Sequence, residues 1–231
     1  MKISFDHIKG FGKVKHSDIT HAEACGTLED EDNIDEVLNQ GWIPWFENNW
    51  YNVRSVRIDL AKYRPSHKTK KRSKKIECDL LEISTIEDRS NIHRIYDTYV
   101  KTNGFDGRIN IDRMIDACQY YLELSYDSEV VAYTFLDIHE KSMVSCQFIY
   151  DFSCGNLSVG SISQYYECLK AKELGKKYVY ILSGYEDVCL YKADIHGMEW
   201  WTGEEWSRDY DLYSKLCKRD SSIEVINYDN I

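Results

Sequence analysis

Residues 53–60 (VRSVRIDL) alternate apolar and polar side chains, the period of a strand with one buried face. Upstream the pattern breaks into short pieces. An acidic segment from Asp30 to Leu38 reads as a helix ending near Gly41, an aromatic run spans Trp42 to Phe46, and Asn48-Asn49 forms a turn. From Ile76 the segments lengthen. Cys78 to Ile83 reads as a strand. Glu87 to Val100 reads as a helix with Ile92, Ile95, Tyr96 and Tyr99 on one face, closed by Asn103-Gly104, and Ile111 to Gln119 as a shorter helix. Three β segments follow, Tyr121 to Tyr126, Val130 to Ile138 and Met143 to Tyr150. Their connections, Asp127-Ser128 and His139-Glu140-Lys141, are short enough to require an antiparallel meander. Ser161 to Leu174 returns to helical spacing through Ile162, Tyr165, Tyr166 and Leu169, with Gly175 just past its end. Tyr178 to Leu182 (YVYIL) is wholly apolar, as a strand covered on both faces should be.

The change of pattern divides the chain into an N-terminal region, residues 1–77, and a larger domain, residues 78–231. The expected class is α+β: a mixed, mostly antiparallel sheet with flanking helices, preceded by a smaller N-terminal α/β region. The order of helices, antiparallel strands, Gly-containing turn, amphipathic helix and buried strand resembles a GNAT-like acyltransferase core. In such a core the turn before the long helix presents backbone N–H groups to a phosphate-bearing donor. The donor-binding candidates are therefore Leu157, Ser158, Val159, Gly160 and Ser161, against the alternative of a plain strand-to-helix loop. Acetyl-CoA-dependent members carry Gln or Arg three residues before the first glycine and Gly or Ala two after it. Here those places hold Leu157 and Ile162, so acetyl-CoA is not the expected donor.

Composition narrows the classes. Of 231 residues, 43% are hydrophobic and 13% aromatic, which excludes a disordered chain. No run approaches a membrane span, and Met1 to His7 lacks the apolar stretch of a signal peptide, so a cytoplasmic location with no membrane partner is expected. Eight cysteines, at 25, 78, 118, 146, 154, 168, 189 and 217, contain no CxxC, and reduced, mostly buried thiols with no metal site are expected. The net charge of −10 disfavours a general nucleic-acid binder and gives no reason to expect DNA. Between Lys62 and Lys75, however, stand eight basic residues and no acid, and setting these aside leaves 21 basic residues against 39 acidic, or −18. Within that segment Lys68, Lys70, Lys71, Arg72, Lys74 and Lys75 are candidate contacts to an RNA backbone; the alternative is a solvated loop of flexible lysines.

A collinear series of segments completes the picture. Residues 130–137 (VVAYTFLD), 148–151 (FIYD), 157–160 (LSVG), 171–180 (AKELGKKYVY) and Tyr191-Lys192-Ala193 resemble, in order, the C-terminal domain of the N-end-rule aminoacyl-tRNA–protein transferases, the arginyl-transferases and their bacterial leucyl-transferase relatives. Upstream, residues 37–42 (VLNQGW) and 56–66 (VRIDLAKYRPS) are similar to that family's N-terminal half. Two departures stand out. The cysteine that the family carries just before its "VPLRI" strand is missing from residues 49–55, and residues 183–190 (SGYEDVCL) are shortened and acidic at Glu186 and Asp187, where the family tends to be basic.

The resemblance implies a tRNA-dependent aminoacyltransferase, with aminoacyl-tRNA as co-substrate, no other cofactor, and a protein or peptide N-terminus as acceptor. An α-amine attacks the ester at the tRNA 3′ end and a peptide bond forms. Because the ester is activated, the enzyme positions the substrates, removes a proton and stabilises an oxyanion. Asp151 is the first candidate proton acceptor and Asp137 the second, while Gln147 and Tyr150 are placed to hydrogen-bond a substrate and Tyr191 and Lys192 to line an acceptor channel. Capping for Asp151 and core packing for Tyr150 and Tyr191 stand beside these roles. Two other functions stay open: a GNAT-type enzyme using another donor to modify a small amine or nucleobase, and a non-catalytic RNA-binding relative.

Overall fold

The computed structural model describes residues 2–4, 24–29, 32–44, 48–103 and 110–222. Asp30 and Glu31, the Trp45-Phe46 end of the aromatic run, Gly104, and Met1 and Phe5 to His7 lie outside these residues. The elements in chain order are β1 (Lys2–Ser4), β2 (Ala24–Thr27), α1 (Ile34–Asn39), β3 (Trp42–Pro44), β4 (Asn49–Asn52), β5 (Ser55–Asp59), α2 (His67–Ser73), β6 (Glu77–Glu82), α3 (Ser90–Asn103), α4 (Ile111–Ala117), β7 (Tyr120–Tyr126), β8 (Glu129–Ile138), β9 (Ser142–Tyr150), α5 (Val159–Glu173), β10 (Tyr178–Ser183), β11 (Met198–Trp201), β12 (Trp206–Ser207) and α6 (Tyr210–Ser221). The class is the expected one, α+β with a mostly antiparallel sheet and flanking helices. The chain packs as two compact units, residues 60–179 and residues 1–59 with 180–231.

In the 60–179 unit β6, β7, β8 and β9 are neighbours in that order, every pair antiparallel. The β7–β8 connection is the two-residue turn Asp127-Ser128, with φ of 50° and 67°. That is the mirror-image turn whose twist suits a hairpin, and short polar side chains tolerate it best. One face of these strands, with Tyr121, Tyr133, Phe135 and Ile149, packs on Ile92, Ile95, Tyr96 and Val100 of α3 and on Ile111 and Ile115 of α4. The helical period puts Ile92, Ile95 and Tyr96 on this face together with Tyr99, which packs half-buried against the same cluster. Against β8, Thr134 and Ser163 share a hydrogen bond at 2.5 Å and Ser163 donates to the buried Glu167 at 2.9 Å, which fixes α5.

The basic segment departs from the loop alternative. Ser66 caps α2 by accepting the Thr69 N–H at 3.0 Å, and the helix then carries the cations to Ser73. No apolar period announces this helix, because among its residues Ser73 alone is buried.

In the other unit β1, β2, β4 and β3 form an antiparallel sheet, and β5 pairs with β11, which pairs with β12. Gly41, at φ 82°, follows α1; a Cβ there would fall 2.3 Å from the Trp201 ring, so the turn admits only glycine. Between β4 and β5 lies Arg54. Its Nη1 meets Asp220 of α6 at 2.6 Å and the Gly184 carbonyl at 3.1 Å, its N–H meets the Tyr185 hydroxyl at 2.9 Å, and both charged side chains are 0% exposed. Arg54 Nε and Nη2 are buried without a hydrogen-bond partner, and the guanidinium lies 4.8 Å from the Tyr185 ring centroid.

Removing one member of such a pair strands the other charge in a dry site, at a cost of about 3–5 kcal/mol. Asp220→Ala is therefore expected to lower unfolding free energy by roughly that amount in urea titration, with Arg54→Met/Asp220→Leu recovering much of the loss. A single variant as stable as the parent chain would contradict this.

Candidate functional site

The turn expected to bind a donor and the basic helix meet. Ser158 precedes α5 with φ 58° and ψ 46°, a left-handed conformation that costs a non-glycine residue about 1 kcal/mol. In this conformation its hydroxyl makes no cap bond to α5 and instead accepts a hydrogen bond from Arg72 Nη1 of α2. The first turn of α5 leaves the Val159 and Gly160 N–H groups without intrahelical carbonyls. Gly160 and Ser161 are exposed, Leu157 and Ser158 half-buried, and Val159 buried. Three further contacts hold α2 and the chain on either side of it: the Tyr166 hydroxyl of α5 lies 3.0 Å from the Ser73 carbonyl and 2.7 Å from that of Ile76, and Lys172 Nζ donates to the Tyr63 carbonyl at 3.3 Å. Lys68, Lys70, Lys71, Lys74 and Lys75 all face solvent, so the cations are displayed beside the start of α5.

Beside the turn runs a cluster of half-buried aromatic rings. Tyr150 lies 5.4 Å from Phe148 and 4.4 Å from Phe152, and Tyr99 of α3 is 5.9 Å from both Tyr150 and Phe152. A Cβ on Gly160 would rest 3.5 Å from the Phe148 ring. The spacing of Phe148, Tyr150 and Phe152, every second residue, was visible in the sequence, whereas the contribution of Tyr99 needed the fold. Gln147 is placed differently. It pairs across from Phe135, on the opposite side of β9 from Phe148, and its Nε2 donates to the Phe148 carbonyl at 2.9 Å.

Asp151 follows β9, its N–H bonded to the Val131 carbonyl at 2.8 Å. Its Oδ1 accepts the Ser153 N–H at 3.0 Å, and Oδ2 accepts from Arg94 Nη1 of α3 at 2.9 Å. Hydrogen bonds from Ser153, then from Arg94, hold its carboxyl below the ordinary aspartate value. A carboxylate so held is a weak base and a persistent negative charge. Arg94 also bonds Asn91 Oδ1 at 2.8 Å, and Asn91 Nδ2 reaches the Tyr133 hydroxyl at 3.0 Å, so an Asp151–Arg94–Asn91–Tyr133 chain runs along α3. Arg94 escaped sequence reading because 57 residues separate it from Asp151. Asp137 is elsewhere in this unit, with Gln119 and Cys146.

Tyr191 and Lys192 belong to the other unit, in the 3₁₀ segment Asp187–Asp194. Tyr191 is 57% exposed, which excludes the core-packing alternative. Lys192 is buried, and its Nζ donates to the Ile181 and Ser183 carbonyls at 2.7 and 2.6 Å. The acidic stretch before it is anchored too: the Asp187 N–H donates to Ser221 of α6 at 2.7 Å, and burial, then Asp220 and Asp187, raise the Glu186 carboxyl above its ordinary value.

An antiparallel sheet thus leads into a turn, an exposed helix start and a docked basic helix. Residues 65–199 match the family described as "Arginine-tRNA-protein transferase, C terminus", and the chain belongs to that family. It is an enzyme, an aminoacyltransferase of tRNA-dependent type. It is 23% identical over 166 residues to the aspartate/glutamate leucyltransferase of Pseudoalteromonas atlantica, covering 66% of this chain and 71% of that one. Among solved structures, L-PGS from Bacillus licheniformis is similar with a TM-score of 0.45 and 14% identity over 62% of this chain and 52% of that one. A GCN5-related glucosamine N-acetyltransferase region of a fungal β-N-acetylglucosaminidase has a TM-score of 0.47 and 17% identity over 76% of this chain and 23% of that one. The chain thus spans about half or less of those two structures. Among the described residues no helix is long and apolar enough to cross a membrane.

The Arg94–Asp151 pair has a definite pH signature. Because the folded carboxyl titrates below its unfolded value, the pair stabilises fully above that unfolded value and loses its contribution as pH falls through the lower, folded one. Arg94 is more than half exposed, so Arg94→Ala is expected to cost no more than about 1 kcal/mol at neutral pH. The difference from the parent chain should shrink in acid. Denaturation curves across pH check this; a difference that grows on acidification would refute it.

Proposed function

We propose that the protein transfers an amino acid from aminoacyl-tRNA to the α-amine of a protein or peptide N-terminus, as an N-end-rule enzyme of the cytoplasm. The observation that carries this reading is the Arg72–Ser158 contact. It puts a row of exposed cations beside a helix start whose free N–H groups suit the 3′ end of an RNA, and places both next to aromatic rings on which a base or apolar side chain stacks.

In this reading Lys68, Lys70, Lys71, Lys74 and Lys75 take acceptor-stem phosphates, and Arg72 orients the turn as well as contributing charge. Residues 157–161 receive the terminal nucleotide, with Val159 and Gly160 offering N–H groups to the ester carbonyl as it gains negative charge. Asp151 lies in the same unit, and its charge attracts the incoming ammonium and accepts a hydrogen bond from the amine. Tyr150 orients the acyl group from within the ring cluster, and Gln147 steadies β9 through the Phe148 carbonyl. The ammonium gives one proton to solvent, the resulting amine attacks the ester carbonyl, the amide bond forms as the bond from the acyl carbon to the 3′-oxygen breaks, and that oxygen takes the second amine proton, so the tRNA leaves with a free hydroxyl. Tyr191, exposed, and Lys192, which braces the segment beneath it, serve the acceptor peptide.

Incubating the protein with tRNA charged with a labelled amino acid and with peptides differing in their first residue tests the reading directly. Label in peptide supports it. Label that stays on tRNA, whatever the amino acid and peptide, favours an RNA-binding relative without transfer activity.

Two variants probe the parts. Lys68→Glu/Lys70→Glu/Lys71→Glu is expected to weaken tRNA binding at least tenfold, about 1.4 kcal/mol, and to flatten the salt dependence by about one unit of slope for each phosphate no longer neutralised. Its melting temperature should barely move, because these side chains are exposed. Equal affinity and slope would return the helix to the role of a solvated surface. Gly160→Val meets open space apart from ordinary contact with Phe148, so folding should survive. Transfer should fall sharply as the branched side chain blocks close approach to the backbone. Unchanged single-turnover rates would make the turn a plain connection.

A further inference from the structure

Away from the donor turn, three ligand-bearing side chains from separate elements converge in the 60–179 unit. Cys118 follows α4 as its C-cap, Asp137 lies near the end of β8 and Cys146 lies in β9; one ligand atom from each falls within 4.8 Å of the others. Both cysteines are free thiols. Sequence spacing hid them, since 28 residues separate Cys118 from Cys146 and neither belongs to a CxxC.

A break in the strand ladder brings them together. Phe135 pairs with Gln147 and Leu136 with Ser145, so Cys146 is the extra residue of a β-bulge. Bulges re-aim a side chain out of the regular alternation, and this one directs Cys146 Sγ to Asp137 Oδ2 at 3.6 Å. The other carboxylate oxygen is held in place: Oδ1 accepts the Gln119 N–H at 3.0 Å. Gln119 is fixed in turn, its N–H also lying 3.2 Å from the Leu136 carbonyl and its Oε1 accepting the Ile138 N–H at 3.3 Å. One oxygen bound by a neighbouring N–H and the other aimed at a second donor atom is how an outer partner orients a monodentate carboxylate ligand. Cys146 Sγ also lies 3.7 Å from the Val144 carbonyl.

We propose that Cys118, Asp137 and Cys146 form a binding site for a zinc-class divalent cation, with water completing the coordination. The dimensions agree. With Zn–S about 2.3 Å and Zn–O about 2.0–2.2 Å, the sulfur–oxygen edge of a tetrahedron is roughly 3.5–3.7 Å, and the observed separation is 3.6 Å. Two thiolates select a borderline-soft ion over magnesium or calcium. Uptake breaks two S–H bonds, releases two protons to solvent and forms two metal–sulfur bonds and one metal–oxygen bond, with no change of oxidation state. The ion would tie the α4–β7 junction to the bulge, bracing the sheet away from the donor turn.

The test is cobalt titration of the full chain, reduced and stripped of metal, followed by zinc. One cobalt per chain should give the intense visible bands of a tetrahedral site together with a thiolate-to-cobalt charge-transfer band, and zinc should abolish both. Cys146→Ser and Asp137→Asn should each weaken cobalt binding about tenfold or more. Cys78→Ser, a half-buried cysteine outside the cluster, should leave it unchanged. If Cys146→Ser loses its far-ultraviolet circular dichroism, Asp137→Asn decides. Absence of the charge-transfer band at saturating cobalt, or the parent affinity in a folded Asp137→Asn variant, overturns the proposal. So does a reduced chain that forms a Cys118–Cys146 disulfide in air yet takes up no cobalt.

Discussion

The docking of α2 on α5 is the constraint on which the candidate site depends. A helix of seven residues is too short to persist in water unaided, and this one sets like charges one turn apart, as with Lys68 and Arg72, and Lys70 and Lys74. It survives because α5 supplies what its ends lack. Tyr166 takes up the carbonyls of Ser73 and Ile76, and Ser158 receives the Arg72 guanidinium. The repulsion among the remaining cations is then held rather than dispersed, and an anion laid along them relieves it.

The same turn meets two further demands. Its left-handed Ser158 forgoes the usual side-chain cap, which leaves the helix start open toward solvent instead of closed on itself. Next to it lies the half-buried ring cluster, while the Arg94–Asp151 chain supplies fixed charge along α3. For an ester already primed to react, orientation in such a mixed environment does most of what catalysis requires.

Much of this was legible along the chain, for identifiable reasons. Residues 87–182 announce their elements because helix and strand periods are clear there and short polar turns separate them, down to Asp127-Ser128. The turn at 157–161 could be placed ahead of its helix, but its Ser158 conformation could not, since it follows from a partner 86 residues away. The basic helix was hidden because it presents no apolar face, only a Ser66 cap and one buried serine. Arg94, Gln119 and the bulge at Cys146 act through strand register and helix packing, which carry no local signature. In the C-terminal part, β11 and α6 were missed because their buried partners, β5 and Arg54, come early in the chain.

That last arrangement has a consequence for how the protein is made. One unit draws its strands and its buried charge pair from both sides of the other, with 166 residues between Arg54 and Asp220. On a ribosome adding about 5–20 residues per second, the first half of this unit waits on the order of ten seconds or more for its second half. During that interval residues 60–179 emerge with the strand order β6–β9 and its helices α3, α4 and α5 complete, whereas β5 has an open edge and Arg54 no counter-ion. Vectorial synthesis therefore favours the inserted segment closing first, and the nascent chain is most exposed to misassociation through β5 until α6 has left the exit tunnel.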